Sequence, residues 1–232
     1  MSRDRFLIWD FDGTLAFRPG HWTGVVCEVV AVHRPDLRLT VDRLRPHLQS
    51  GFPWHTPEVV REPCSAEQWW GELLPVLARA VQRASGVDDF EARRLVDGVR
   101  DAYVDAKSWV VFDDVRPALE RLGDRGWEHI VLSNHVPELP RLMDALDLRD
   151  LITAVRCSAH TGVEKPHPEA FETVFADYPK ARDGWMIGDS LRADVQGAQA
   201  VGMRAILVRS KHPDAAVQCE TLHEVADAVD RT

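Results

Sequence analysis

The chain has 232 residues, 45% hydrophobic and 28% charged, with a net charge of −9 at pH 7. That composition belongs to an ordinary folded protein, long enough for one medium domain or a core with a smaller insertion. The acidic balance argues against a dedicated nucleic-acid binder, which carries a basic face, but it leaves room for a local cationic pocket. No apolar run is long enough to span a bilayer. Arg3, Asp4 and Arg5 lead straight into an apolar strand with no signal-type segment, so no membrane partner and a cytoplasmic location are expected. Cys27, Cys64, Cys157 and Cys219 are scattered without metal-ligand spacing and read as reduced thiols.

In chain order, Phe6-Leu7-Ile8-Trp9 reads as an inner strand, apolar on both faces, and it ends in Asp10-Phe11-Asp12-Gly13-Thr14. From about Arg18 to Asp105 the pattern is helical throughout. Trp22, Val25, Val26, Val29 and Val30 recur at helical spacing, and Thr40 suits the cap of a short helix carrying Leu44 and Leu48. Ser65 and Gln68 form a capping-box pattern ahead of a helix that Pro75 should kink and Gly86 should close. A last helix is expected to carry Phe90, Leu95, Val99 and Tyr103. Gly51, Pro53 and Pro57 mark an irregular loop.

From about Lys107 onward, helices and strands alternate. Pro117 opens a helix, followed by a strand at Ile130–Leu132 ending in Ser133-Asn134. A helix around 139–146, a strand at 154–157 and a helix around 168–176 come next. Then follow the strand 185–187 ending in Gly188-Asp189-Ser190, a helix around 194–200, the strand 205–208 and a closing helix at 222–229. Alternation of this kind implies an α/β fold: a doubly wound, Rossmann-like parallel sheet. The helical block interrupts it just after the first strand. The expected division is a core of residues 1–17 and 106–232 with an inserted helical cap of 18–105.

The polar residues gather where apolar strands end: Asp10 and Asp12, then Ser133 and Asn134, then Asp189 with Asp194. Open α/β sheets bind ligands at that edge. Lys165, one of only four lysines, lies in a loop that can reach the same place. Several carboxylates, two small hydrogen-bonding residues and an ammonium suit Mg2+ and a phosphate, because hard carboxylate oxygens favour Mg2+ and Mg2+ favours bridging to phosphate.

This set resembles the haloacid dehalogenase-like superfamily of hydrolases. Asp10-Phe11-Asp12-Gly13-Thr14-Leu15 is similar to its first motif, Ser133-Asn134 to its second, Lys165 to its third, and Gly188-Asp189-Ser190 with Asp194 to its fourth. The insertion after the first motif looks like the family's helical cap type. The resemblance implies Asp10 as a nucleophile forming an aspartyl-phosphate, and Asp12 as general acid and then base. It implies Mg2+ held by Asp10, Asp189 and the backbone carbonyl of Asp12, with Asp194 binding it through water or orienting Lys165. Ser133, Asn134 and Lys165 are then expected to hold the phosphoryl oxygens.

Asp12 favours phosphoryl transfer over dehalogenation, which needs no acid for its leaving group. No lysine lies between Arg18 and Asp105, which speaks against the phosphonate-cleaving branch with its cap lysine. The expected activity is hydrolysis of a small phosphorylated metabolite by a monomer or homodimer. A phosphomutase, or a binding module that keeps the fold without turnover, are the alternatives. Arg18, His21, Trp22, Trp54 and His55 are the candidates for reading the leaving group, while Trp69 and Trp70 suit the interior of the cap.

Overall fold

The computed structural model describes residues 5–229; Arg3 and Asp4, and the outer limits 1 and 232 of the expected core, lie outside them. The chain divides into two compact units. Of the described residues, one comprises 5–17, Pro57–Pro63 and 111–229; the other comprises Arg18–Thr56 and Cys64–Val110. Short strands β2 (Ala16–Phe17) and β3 (Val110–Val111) mark where the chain leaves the first unit and returns to it.

The first unit is built on a six-stranded sheet. Its strands are β1 (Arg5–Trp9), β4 (Trp127–Ser133), β5 (Ala154–Cys157), β6 (Trp185–Gly188), β7 (Arg204–Val208) and β8 (Gln218–Cys219). Their order is β5-β4-β1-β6-β7-β8, and every pairing is parallel. Ile8 of β1 sits in register with Ile130 on one side and Met186 on the other, so β1 is a central strand. Centrality explains its unbroken apolar run: both faces are covered, as parallel sheets require.

The two faces of β1 divide by alternation. Phe6 and Ile8 join a core with Phe171 and Val174 of α9 (Pro168–Phe175). Trp9 donates its indole N–H to His129 Nδ1 at 3.1 Å, and His129 Nε2 reaches the Leu119 carbonyl of α6 (Val115–Asp124) at 2.9 Å. The acceptor role of Nδ1 leaves the ring proton on Nε2, so both nitrogens of this buried histidine are satisfied. The remaining helices of this unit are α7 (Leu139–Ala145), α8 (Ser158–Thr161), α10 (Gly197–Ala200) and α11 (Leu222–Val229), which packs on α6. Of the helix expected at 194–200 only α10 is α-helical; residues 194–196 belong to a wider turn, Leu191–Gln196, in which Asp194 is buried.

Residues 57–63 lie inside the block expected to be cap, yet they group with the sheet. The Arg61 amide donates to the Gly162 carbonyl at 2.8 Å. Gly162 has φ +76°, and a β-carbon there would lie 1.9 Å from the Arg61 carbonyl oxygen, so only glycine allows this approach.

The second unit holds α1 (His21–His33), α2 (Val41–Leu44), α3 (Ala66–Ser85), α4 (Asp89–Val96) and α5 (Val99–Val104). The capping box forms: Ser65 Oγ accepts from the Gln68 amide at 3.2 Å and Gln68 Oε1 from the Ser65 amide at 2.9 Å. Helix α3 runs through Pro75 and stops at Gly86, φ +81°. The expected last helix is instead two, broken at Asp97-Gly98, where Gly98 faces Val29 of α1. Leu95, Val99 and Tyr103 are buried, but Phe90 remains 73% exposed, because it falls five residues before Leu95 and off the face that Ala92, Leu95 and Val96 bury. No described helix is long and apolar enough to cross a membrane.

Candidate active site

The sheet order turns back at β1, because the chain builds β4 and β5 on one side and then crosses to β6 on the other. Beyond the carboxyl ends of strands at such a reversal, open α/β sheets leave a crevice. Asp10 stands there, one residue past β1, its amide still bonded to the Ile187 carbonyl at 2.9 Å. The next residues close tightly. The Phe11 carbonyl accepts the amides of Thr14, Leu15 and Ala16 at 3.2, 2.9 and 3.1 Å, and the Gly13 amide donates to Ala16 at 2.8 Å. This turn holds Asp12 half-buried.

Glycines make space for the carboxylates. Gly13 has φ +82°, and a β-carbon on it would lie 2.4 Å from Asp189 Oδ2; one on Gly188 would lie 2.1 Å from Asp194 Oδ2. Asp10, Asp189 and Asp194 each offer an oxygen within 4.8 Å of the others. Lys165, almost wholly buried, places Nζ 3.0 Å from Asp10 Oδ1 and 2.5 Å from Asp194 Oδ1. Asp194 also accepts the Ser190 amide at 3.0 Å, so one of its oxygens is bonded to Lys165 and the other to backbone.

Three carboxylates share one ammonium. Burial, and then the charges of Asp10 and Asp194, push Asp189 up to about 7. Burial, with Asp10 adding to it, pushes Asp194 up to about 6 despite Lys165. Burial works to lower the Lys165 ammonium, but Asp10 and Asp194 outweigh it and hold its pKa above the ordinary value. An oxygen-only donor set with excess negative charge fits a hard divalent cation such as Mg2+.

A pH effect follows. A carboxyl whose folded pKa is raised stabilises the fold below its unfolded value and loses that contribution as pH rises through the folded pKa. For Asp189 the window runs from 3.8 to about 7. A bound cation must displace the same protons. The rise in melting temperature on adding Mg2+ is therefore expected to be larger at pH 8 than at pH 5. Thermal unfolding at the two pH values checks this; an equal rise would separate the cation from these carboxylates.

Ser133, the last residue of β4, is 1% exposed, and its Oγ has no hydrogen-bond partner among the described residues. A buried hydroxyl left so is suited to a ligand oxygen. Asn134 is arranged differently. Its Nδ2 donates to the Lys165 carbonyl at 2.8 Å, and its Oδ1 accepts the Lys165 amide at 2.7 Å. The carboxamide expected to face phosphate is thus taken by the Lys165 backbone and fixes the base of that side chain. Ser190 is a turn residue, accepting the Ala193 amide at 3.1 Å.

Two buried groups beside the site escaped sequence reasoning. His135 lies edge-on to Phe11 at 5.4 Å, and burial lowers its pKa. Glu164 is 2% exposed and pushed up to about 7 by burial. Their adjacency to Asn134 and Lys165 was the available signal.

In the helical unit, Arg18 is 2% exposed and paired with Glu28 at 2.5 Å, so its charge is engaged within that unit. His21 opens α1 in a left-handed conformation, φ +47°. Trp22 stacks on Tyr103 at 4.0 Å and lies 5.9 Å from Trp54. Trp54 stacks on Phe52 at 4.8 Å, and His55 meets Phe52 edge-on at 5.3 Å. Trp22, Trp54 and His55 therefore form one aromatic cluster, with Trp22 and Trp54 half-buried. Trp69 and Trp70 are buried.

The chain is similar to several known proteins. Haloacid dehalogenase-like hydrolase domain-containing protein 3 of Mus musculus is 30% identical over 157 residues, 66% of this chain and 61% of that protein. The ribulose-1,5-bisphosphate 5-phosphatase of Halopiger xanaduensis is 32% identical over 119 residues, 50% of this chain and 49% of its own. The match thus spans about three fifths or less of the length of these curated relatives. Among solved structures, the magnesium-bound putative HAD-hydrolase YfnB of Bacillus subtilis superposes with a TM-score of 0.72 at 16% identity, covering 97% of this chain and 98% of that one. The family model of the haloacid dehalogenase-like hydrolases matches residues 5–202. With its parallel sheet and its carboxylates gathered at the strand ends, the chain belongs to the haloacid dehalogenase-like hydrolase family.

Proposed function

We propose that the chain is a Mg2+-dependent phosphatase that hydrolyses a small phosphomonoester through an aspartyl-phosphate on Asp10. The observation that carries this reading is the buried ammonium of Lys165 bonded to Asp10 and Asp194, with Asp189 in the same cluster. Phosphatases among its similar proteins support the reaction class.

In the first step an Asp10 carboxylate oxygen bonds to phosphorus as the ester P–O bond breaks. Asp12 gives its proton to the departing alkoxide. In the second, Asp12 takes a proton from water as that water bonds to the same phosphorus, and the P–O bond to Asp10 breaks to release phosphate. Lys165 neutralises Asp10 and the phosphoryl group, and the Ser133 hydroxyl donates to a phosphoryl oxygen. Asp194 orients Lys165, and Asn134 holds its backbone. Asp10, Asp189 and the Asp12 carbonyl would hold Mg2+, which when bound would offset repulsion between an anionic nucleophile and an anionic substrate. The aromatic cluster of Trp22 and Trp54 is our candidate for reading the leaving group. We also assign the protein to the cytoplasm, as a monomer or homodimer.

Phosphate release from a panel of phosphorylated metabolites, with and without Mg2+, tests the reading. Metal-dependent release from at least one member is expected, with no chloride released from a 2-chloroacid. Transfer of phosphate to a second hydroxyl instead of water would make the protein a phosphomutase. Tight binding without turnover would make it a binding module.

A further inference from the structure

Arg209 follows the last residue of β7, at the sheet edge that carries the acidic cluster. It adopts φ +57°, a conformation that side chains with a β-carbon rarely take. Such a residue persists only where its surroundings over-determine it, and Arg209 is held at several points. Its Nε donates to the Thr14 carbonyl at 3.0 Å and its terminal nitrogen to Asp114 Oδ1 at 2.6 Å. The guanidinium lies 3.7 Å over the Phe112 ring, and its own amide donates to the Cys219 carbonyl at 3.1 Å. Asp114 uses its second oxygen to accept the Leu222 amide of α11 at 2.8 Å. The two side chains keep only 15% and 13% of their exposure.

What Arg209 grips is the turn that carries Asp12. Thr14 lies within the 11–16 turn, where the amides of Thr14, Leu15 and Ala16 converge on the Phe11 carbonyl and tie the turn into one hydrogen-bonded unit. The Phe112 amide bonds the Leu15 carbonyl at 3.2 Å, and Phe112 packs on Phe17 at 4.8 Å. Arg209 therefore joins the turn after Asp12, the segment following the insertion and the start of α11. A planar guanidinium offers donors in a fixed fork and a flat face for the ring together; a lysine ammonium cannot supply both.

We propose that Arg209 is a positioning residue for the Asp12 turn, setting Asp12 at the reach needed to protonate a leaving group. This rests on the phosphatase reading above. A displaced acid penalises a poor leaving group, which needs its proton, and spares a good one, which does not.

The test compares wild type, Arg209→Leu and Arg209→Lys on p-nitrophenyl phosphate and on an alkyl phosphate, reading kcat/KM. The loss in Arg209→Leu is expected to be on the order of tenfold greater on the alkyl ester, within the 10²–10⁴-fold that general acid catalysis supplies, with partial recovery in Arg209→Lys. Hydrogen exchange in Arg209→Lys is expected to accelerate at the amides of residues 13–16, with β4 unchanged. Equal losses on both esters, or unaltered exchange in the turn, would overturn the proposal. If the wild type hydrolyses neither ester nor any panel member, the phosphatase reading fails, and the exchange result still decides whether Arg209 holds the turn.

Discussion

Asp10→Asn is expected to reduce phosphate release by at least about 10³-fold, the scale on which removal of an attacking group acts. The fold should survive. Asparagine keeps the shape of aspartate and an oxygen that can accept from Lys165 Nζ, now 3.0 Å away. It removes one of three carboxyl groups from a cluster whose ligand oxygens lie within 4.8 Å of one another. Asp10 is also the leading charge that raises the Asp189 carboxyl, so the variant should ionise Asp189 at lower pH than wild type does. An unchanged or raised melting temperature with lost turnover is the expected pair of results. Turnover within tenfold of wild type would remove Asp10 from the nucleophile's role, whatever the protein's stability.

The second large effect concerns the cation. Lys165→Met should lower stability by about 3–5 kcal/mol, the cost of removing one partner from a buried ion pair. For a chain of this size that is a fall in melting temperature of roughly 10 °C. The reason is electrostatic. Lys165 bonds both Asp10 and the fully buried Asp194, and nothing else within the described residues is bonded to both. The loss should be smaller at pH 5 than at pH 8, because Asp194, already raised to about 6, can take up a proton instead. Mg2+ should restore part of the stability, and adding Asp194→Asn should restore part without metal. Turnover should fall at least about 100-fold, since the ammonium also faces the transferring group. A melting temperature that does not move would mean that the buried ion pairs contribute no stability.

Features set by neighbouring residues were legible in the chain itself. The Phe6–Trp9 run is apolar at every position because both faces of a central parallel strand are covered, and that pattern needs no partner to be read. The Ser65–Gln68 capping box and the closing helix Leu222–Val229 formed where local chemistry puts them. Polar residues after each apolar strand placed the candidate site at the carboxyl edge, because strand direction and side-chain class are written locally.

Tertiary structure decided which partner each polar group takes, and partners come from distant parts of the chain. Asn134 spends both amide atoms on Lys165, 31 residues away. Arg209 reaches Thr14 across 195 residues. Arg18 is neutralised by Glu28, and residues 57–63 leave the helical block for the sheet because Gly162 admits the Arg61 backbone. Phe90 shows the same divide from the apolar side: it lies on α4 off the face that Ala92, Leu95 and Val96 bury, and it remains exposed. A sequence specifies periodicity and local hydrogen bonding through rotation about neighbouring bonds. Which carbonyl, carboxylate or helix face lies opposite is set only when the chain closes on itself, by the need to satisfy every buried polar group at once.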